Sequence, residues 1–168
     1  NHVDVAKRLN EKFGLTVLID NDLHVATNVA RKYSNYQEGI TVLYAYGKRK
    51  SGSGIIANGE VLCGASGAAG EGENIPLHTT DIESERIAFC SERLQAIIAL
   101  MNPGRVVIYE LDEGMDTDKL IGLIKSKMKP YLLPEFKLGR DFFEDCFLGL
   151  SIVCEVGIKQ SLRERLDF

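Results

Sequence analysis

Residues 17–26 read VLIDNDLHVA. Val17, Leu18 and Ile19 close the run GLTVLID of residues 14–20, whose β-branched, apolar composition is that of an internal strand. The run then meets Asp20, Asn21 and Asp22, and from Asn21 to about Tyr33 the spacing predicts a helix with Val25, Val29 and Ala30 on one face. Two readings of the polar junction stand side by side. Asp20, Asn21 or Asp22 caps the helix and satisfies its leading amides, or the same groups, with the first helical N–H groups, meet a ligand at a sheet edge. An Asp beside a substrate hydroxyl can act as a general base, and the acceptor oxygens suit a polyol better than a phosphate. His24 reads as a solvated helix residue without a catalytic role.

Outward from this junction the pattern alternates strands and helices. NHVDVAKRLNEKFG predicts a helix stopped by Gly14. ITVLYAY (40–46) predicts a strand, and SGIIANG (53–59) and EVLCG (60–64) predict two more, joined at Asn58-Gly59 by a tight hairpin turn. Residues 64–80 are too rich in Gly for strand or helix. A helix is predicted from about Ile82 to Met101, ended by Asn102-Pro103-Gly104, followed by the strand RVVIYEL (105–111), a helix that stops before Pro130, a weak strand over 136–140 and a helix over roughly 142–160. A meander followed by helix, strand, helix, strand and helix is an α/β plan, a sheet with helices on both faces.

The 168 residues suit one domain, and 45% apolar with 26% charged residues is an ordinary globular composition. A net charge of -4 gives no basic stripe for nucleic acid. Cys63, Cys90, Cys146 and Cys154 form no CxxC or CxC pair, so buried thiols in a reducing cytoplasm are expected rather than a zinc or dithiol site. There is no signal-peptide pattern and no apolar run of about 18 residues, so no membrane partner is expected. The start at Asn1, already helical and without Met, is that expected of a portion of a longer protein.

Glycine clusters between residues 52 and 72. KRKSGSGIIANG (48–59) can form a plain hairpin or one wrapped around an anion, since Gly permits close backbone approach. It carries no P-loop or dinucleotide fingerprint, and Lys48, Arg49 and Lys50 read as a solvated turn. GASGAAGEGEN sets Glu71 and Glu73 among small residues, as a solvated turn or as carboxylates able to hold a pair of sugar hydroxyls. His78 stands apart from any ligand cluster.

The order VLIDNDLHVA, SGSGIIANGEVLCG (51–64), AAGEGEN (68–74) and AIIALMNPGRVVIYE (96–110) resembles the second half of the ROK family, whose name stands for repressor, open reading frame and kinase. The resemblance implies one lobe of the actin-like ATPase, ribonuclease-H-like fold, a mixed sheet flanked by helices, with residues 1–168 forming a single carboxy-terminal domain. It implies that Asn21, Asp22, Glu71 and Asn74 bind sugar, that Asp22 is the base if the parent is a kinase, and that Gly52 and Gly54 lie near a nucleotide. Mg-ATP would serve such a kinase, and no cofactor is implied for the fragment.

The departures from the family carry their own implications. Asn74 stands where the family has a His that touches sugar and zinc, and the CxCGxxGCxE loop is reduced to one Cys in IPLHTTDIESERIAFCSERL, with Glu83 or Glu85 near its acidic position. No structural zinc is therefore expected. Tyr109 and Glu110 stand where kinases carry paired glycines near the nucleotide. The leading expectation is a sugar-sensing and dimerisation domain of a homodimeric ROK-like transcriptional regulator, touching DNA only through a winged helix-turn-helix outside this sequence. A glucokinase-like sugar kinase using Asp22 and a non-catalytic scaffold are the alternatives.

Overall fold

A computed structural model describes residues 4–33, 39–47, 50–72, 75, 86–114 and 116–166. The elements in chain order are α1 (Val5–Phe13), α2 (Asp22–Tyr33), β1 (Ile40–Tyr46), β2 (Ser51–Ala57), β3 (Glu60–Val61), α3 (Arg86–Met101), β4 (Arg105–Glu110), α4 (Thr117–Lys127), β5 (Glu135–Leu138) and α5 (Phe142–Leu166), with a 3-10 turn at Pro130–Leu132. The sheet order is β3-β2-β1-β4-β5. β2 runs antiparallel to β1 and β3, whereas β4 runs parallel to β1 and β5. This is one α/β lobe with a mixed sheet flanked by helices.

Side-chain alternation along the strands divides the core in two. Val42, Tyr44, Tyr46, Val106 and Ile108 point to the face covered by α3 and α4, where they meet Leu94, Ile98, Leu120 and Ile124. Leu43, Ala45, Val107 and Tyr109 point to the other face, where they meet Leu23 and Ala26 of α2 and Phe142 of α5. Tyr44 and Tyr46, two residues apart, stack at 6.1 Å between centroids. Their hydroxyls are buried but partnered: Tyr44 donates to the Cys90 carbonyl at 3.1 Å, and Tyr46 shares a hydrogen bond with Thr117 Oγ1 at 2.8 Å.

The hairpin forms at Asn58-Gly59. Both residues have positive φ, 50° and 80°, and Ala57 pairs with Glu60 across a two-residue loop, the geometry an Asn-Gly pair permits. β3 is shorter than the 60–64 expected, ending at Val61. Gly14 caps α1 in the left-handed conformation, its N–H reaching the Asn10 carbonyl.

Two expectations fail. Residues 14–20 form no strand: the segment pairs with none of the five strands, and Leu15, Leu18 and Ile19 are more than half exposed. Apolar, β-branched composition marks a residue fit for burial, but a strand also needs a ladder partner for its N–H and C=O groups, and composition is silent on that. Burial of all four thiols also fails. Cys90 is buried in the core, Cys146 is partly covered, and Cys63 and Cys154 are exposed, one in the loop after β3 and the other on the outward side of α5. Among the described residues no helix is long and apolar enough to cross a membrane.

Candidate functional site

Asn21 does both things that the junction allowed. Its side-chain Oδ1 accepts from the Leu23 amide at 2.9 Å and its carbonyl accepts from the Val25 amide at 2.9 Å, which is N-cap geometry for α2. That bond leaves Nδ2 pointing outward, and Nδ2 donates to Glu71 Oε1 at 2.9 Å, across fifty residues of sequence. The cap therefore fixes the orientation of the carboxamide: oxygen to the helix, nitrogen to the carboxylate.

Glu71 arrives on a loop that glycine makes possible. Gly70 has φ of +90°, and a Cβ there would fall on the carbonyl oxygen of Ser53. The close approach lets the Gly70 carbonyl accept from both the amide and the hydroxyl of Ser53, at 2.9 and 2.8 Å. Asp22 opens α2 with its carboxylate exposed, Oδ1 accepting from the Leu23 amide at 2.8 Å.

Asn21, Asp22, Lys50, Gly52, Ser53 and Glu71 line one cleft of about 180 Å³, whose inner wall includes Ala45, Leu111 and Phe142. It lies at the carboxyl ends of β1 and β4, where the strand order reverses direction from β1-β2-β3 to β4-β5. In open α/β sheets this is the crevice where ligands bind. The amino-terminal ends of α2 and α5 both open onto it. A larger groove of about 430 Å³ lies between α2 and α5, lined by Arg31, Lys32, Val156 and Lys159 among others. None of the predicted site residues lines it, and Glu155 occupies two of its cations, at 3.3 and 2.6 Å. The smaller cleft is the candidate site.

Cys146 packs behind it, its Sγ donating to the Asp22 carbonyl at 3.5 Å. Burial, then the carboxylates of Asp22, Asp145 and Asp141, push this thiol up to about 11, with Lys50 opposing. Among the described residues the cleft thus offers two exposed carboxylates, Asp22 and Glu71, able to accept from paired hydroxyls, beside the Lys50 ammonium.

Gly52 and Gly54 have a packing role whatever else they do. A Cβ at Gly52 would lie 2.6 Å from Leu23 Cδ1, and one at Gly54 would fall on Thr27 Oγ1, so both glycines let α2 lie directly on β2. Asn74, Glu73, His78, Glu83 and Glu85 lie outside the described residues, as do Lys48 and Arg49. Among the described residues no cluster of three His, Cys, Asp or Glu side chains is placed to hold a metal ion.

His24 was misread as solvated. It is 3% exposed, with Nε2 3.2 Å from the Ala69 carbonyl and Nδ1 3.5 Å from Asp20 Oδ1. The signal was present: a His flanked by Leu23, Val25 and Ala26 sits in an apolar run, and one turn from Asn21 it faces the same loop. Ser53 and Gly70 carried no comparable mark beyond the glycine richness of their segments.

Known proteins share the family and the fold of this chain. The ROK family model matches residues 1–93, more than half of the chain. The fold is similar to that of a ROK hexokinase from Thermus thermophilus, at 15% identity and a TM-score of 0.68 over 92% of this chain and 70% of that one. It is also similar to a ROK family glucokinase from Streptomyces griseus in complex with glucose and AMPPNP, at 11% identity and 0.60 over 86% and 70%. A third similar structure is a ROK family transcriptional regulator homologous to the E. coli MLC protein, at 15% and 0.55, where 80% of this chain covers half of that one. No curated protein sequence matches significantly. The chain belongs to the ROK family.

Proposed function

With ROK membership as the premise, we propose that this chain is the sugar-sensing and dimerisation domain of a ROK-family transcriptional regulator, a carboxy-terminal portion of a longer protein without kinase activity. The observation that carries the sugar reading is the Asn21 to Glu71 hydrogen bond, because it draws two distant motifs onto one cleft beside Asp22. Carboxylates and an amide on a rim of that kind suit a ring of hydroxyls. The sugar acts by binding one conformation of the parent more tightly than another, the only way a ligand shifts such an equilibrium. A homodimer and DNA contact through a separate winged helix-turn-helix complete the reading.

Tyr109 supports the absence of phosphoryl transfer. Where family kinases keep small residues near the nucleotide, this chain has a ring that is 4% exposed, with its hydroxyl donating to Asp145 Oδ2 at 2.7 Å and its centroid 5.6 Å from that of Phe142 in an edge-to-face pair. Gly139 is needed beneath it, since a Cβ there would fall on the ring. The kinase alternative rests on the exposed Asp22 carboxylate in the cleft, which is where a general base would stand; Gly52 and Gly54 would then approach the nucleotide.

Titration calorimetry with glucose, mannose, xylose, N-acetylglucosamine and N-acetylmannosamine tests the proposal. At least one sugar is expected to bind, and Asn21→Ala and Glu71→Ala are each expected to weaken it about 10- to 100-fold, the loss of a hydrogen bond to a charged group. ATP-dependent phosphorylation of that sugar is expected to be absent. Binding of none of the five refutes the sensing role, and turnover that Asp22→Asn abolishes establishes the kinase instead.

A further inference from the structure

The carboxylate of Glu71 is exposed and accepts from Asn21. The backbone just before it is held as well. The Ala69 carbonyl accepts from His24 Nε2 at 3.2 Å. A carbonyl can only accept, so Nε2 carries a proton and donates, and Nδ1 lies 3.5 Å from Asp20 Oδ1. The next carbonyl, of Gly70, is taken by Ser53 of β2 through both amide and hydroxyl. Two consecutive peptide units of the glycine-rich loop are thus pinned, one by α2 and one by β2, and Glu71 follows at once.

His24 is itself buried, and it comes from the same helix as Asn21, one turn further on. α2 therefore grips the loop twice, His24 on Ala69 and Asn21 on Glu71. Gly72 N–H to the Gly70 carbonyl at 2.7 Å tightens the turn beyond.

From this geometry we infer that His24 is a positioning residue of the sugar cleft: its Nε2–H holds the Ala69 peptide so that the Glu71 carboxylate meets Asn21 at the height of a sugar hydroxyl pair. The inference rests on the sugar reading above and adds to it a residue that touches no sugar.

The test uses the whole chain with His24→Phe, which keeps the ring volume without the donor, and His24→Gln, whose amide nitrogen reaches the place of Nε2. Both are titrated with the same five sugars. His24→Phe is expected to weaken the bound sugar about tenfold and His24→Gln by less than about threefold, the size of one lost and one retained hydrogen bond. In a Glu71→Ala background His24→Phe is expected to add nothing, because the group it positions is gone. Amide exchange of Ser53, Ala69 and Gly72 is expected to quicken about tenfold in His24→Phe while that of β4 is unchanged.

An unchanged affinity in His24→Phe, or a further loss on top of Glu71→Ala, overturns the positioning role while leaving the sugar cleft standing. A wild type that binds none of the five sugars removes the cleft and the positioning role together. If His24→Phe does not fold, His24→Asn, polar but too short to reach Ala69, takes its place under the same criteria.

Discussion

Cys146 reports on the charge beside the candidate cleft. Its thiol loses solvent and gains three carboxylate neighbours, of which Asp22 acts most strongly, and both effects favour the neutral form. Because alkylation requires the thiolate, reaction of Cys146 with iodoacetamide is expected to be slow at pH 8 and to climb with a midpoint of about 11. The sign for stability follows the same way. The folded value lies above the ordinary 9.0, so the stabilising contribution of this group is fully present below pH 9 and is lost as the pH rises through about 11. Mass-spectrometric alkylation rates across pH 7–12 check the first statement. Asp22→Asn is expected to lower the midpoint, and a midpoint that stays put would remove Asp22 from the neighbourhood of the thiol.

At the scale of elements, glycine has opposite meanings in two helices. Gly149 of α5 faces the backbone of Val25 in α2: a Cβ there would fall on the Val25 carbonyl oxygen and lie 2.8 Å from Val25 Cγ1. Gly122 of α4 is exposed, with nothing within 4 Å of a Cβ. Helix propensity favours Ala at both by roughly 1 kcal/mol. At Gly122 that preference acts alone, and Gly122→Ala is expected to stabilise by about 0.5–1 kcal/mol. At Gly149 the clash wins, and Gly149→Ala is expected to destabilise by about 1–3 kcal/mol as α5 is forced off α2. Urea denaturation of the two variants decides both signs.

The same contrast explains what could be read from the chain. Local patterns were legible because their causes are local: the Asn-Gly turn and the strand ITVLYAY formed where their residues placed them, the strand RVVIYEL formed short of its last residue, and the helix expected from Asn21 began at Asp22. The segment 14–20 failed because pairing is not local. Glu71 meeting Asn21 lay beyond any periodicity and was reached only through the family resemblance, while His24 was missed because a polar residue in an amphipathic helix was assigned to solvent without asking what its neighbours faced.

Across the whole molecule, stability is distributed unevenly. The two half-cores lie on either face of β1 and β4, and the cleft sits at one end of those strands. α1 stands apart: none of its residues is buried, and Val5, Leu9 and Phe13 are exposed. A substitution can subtract from global stability only what its element adds while folded. Proline within a helix costs about 3 kcal/mol of that helix, yet for Leu9→Pro the loss falls on an element that adds little to the rest. Leu9→Pro is expected to remove helical signal in circular dichroism while shifting global stability in urea by less than about 0.5 kcal/mol, whereas Ile98→Ala, at a site 0% exposed between α3 and the sheet, is expected to cost about 2–5 kcal/mol. A loss in Leu9→Pro comparable to that of Ile98→Ala would mean that α1 is docked in solution, and that the exposed apolar side chains of residues 5–19 are covered by something the lobe itself supplies.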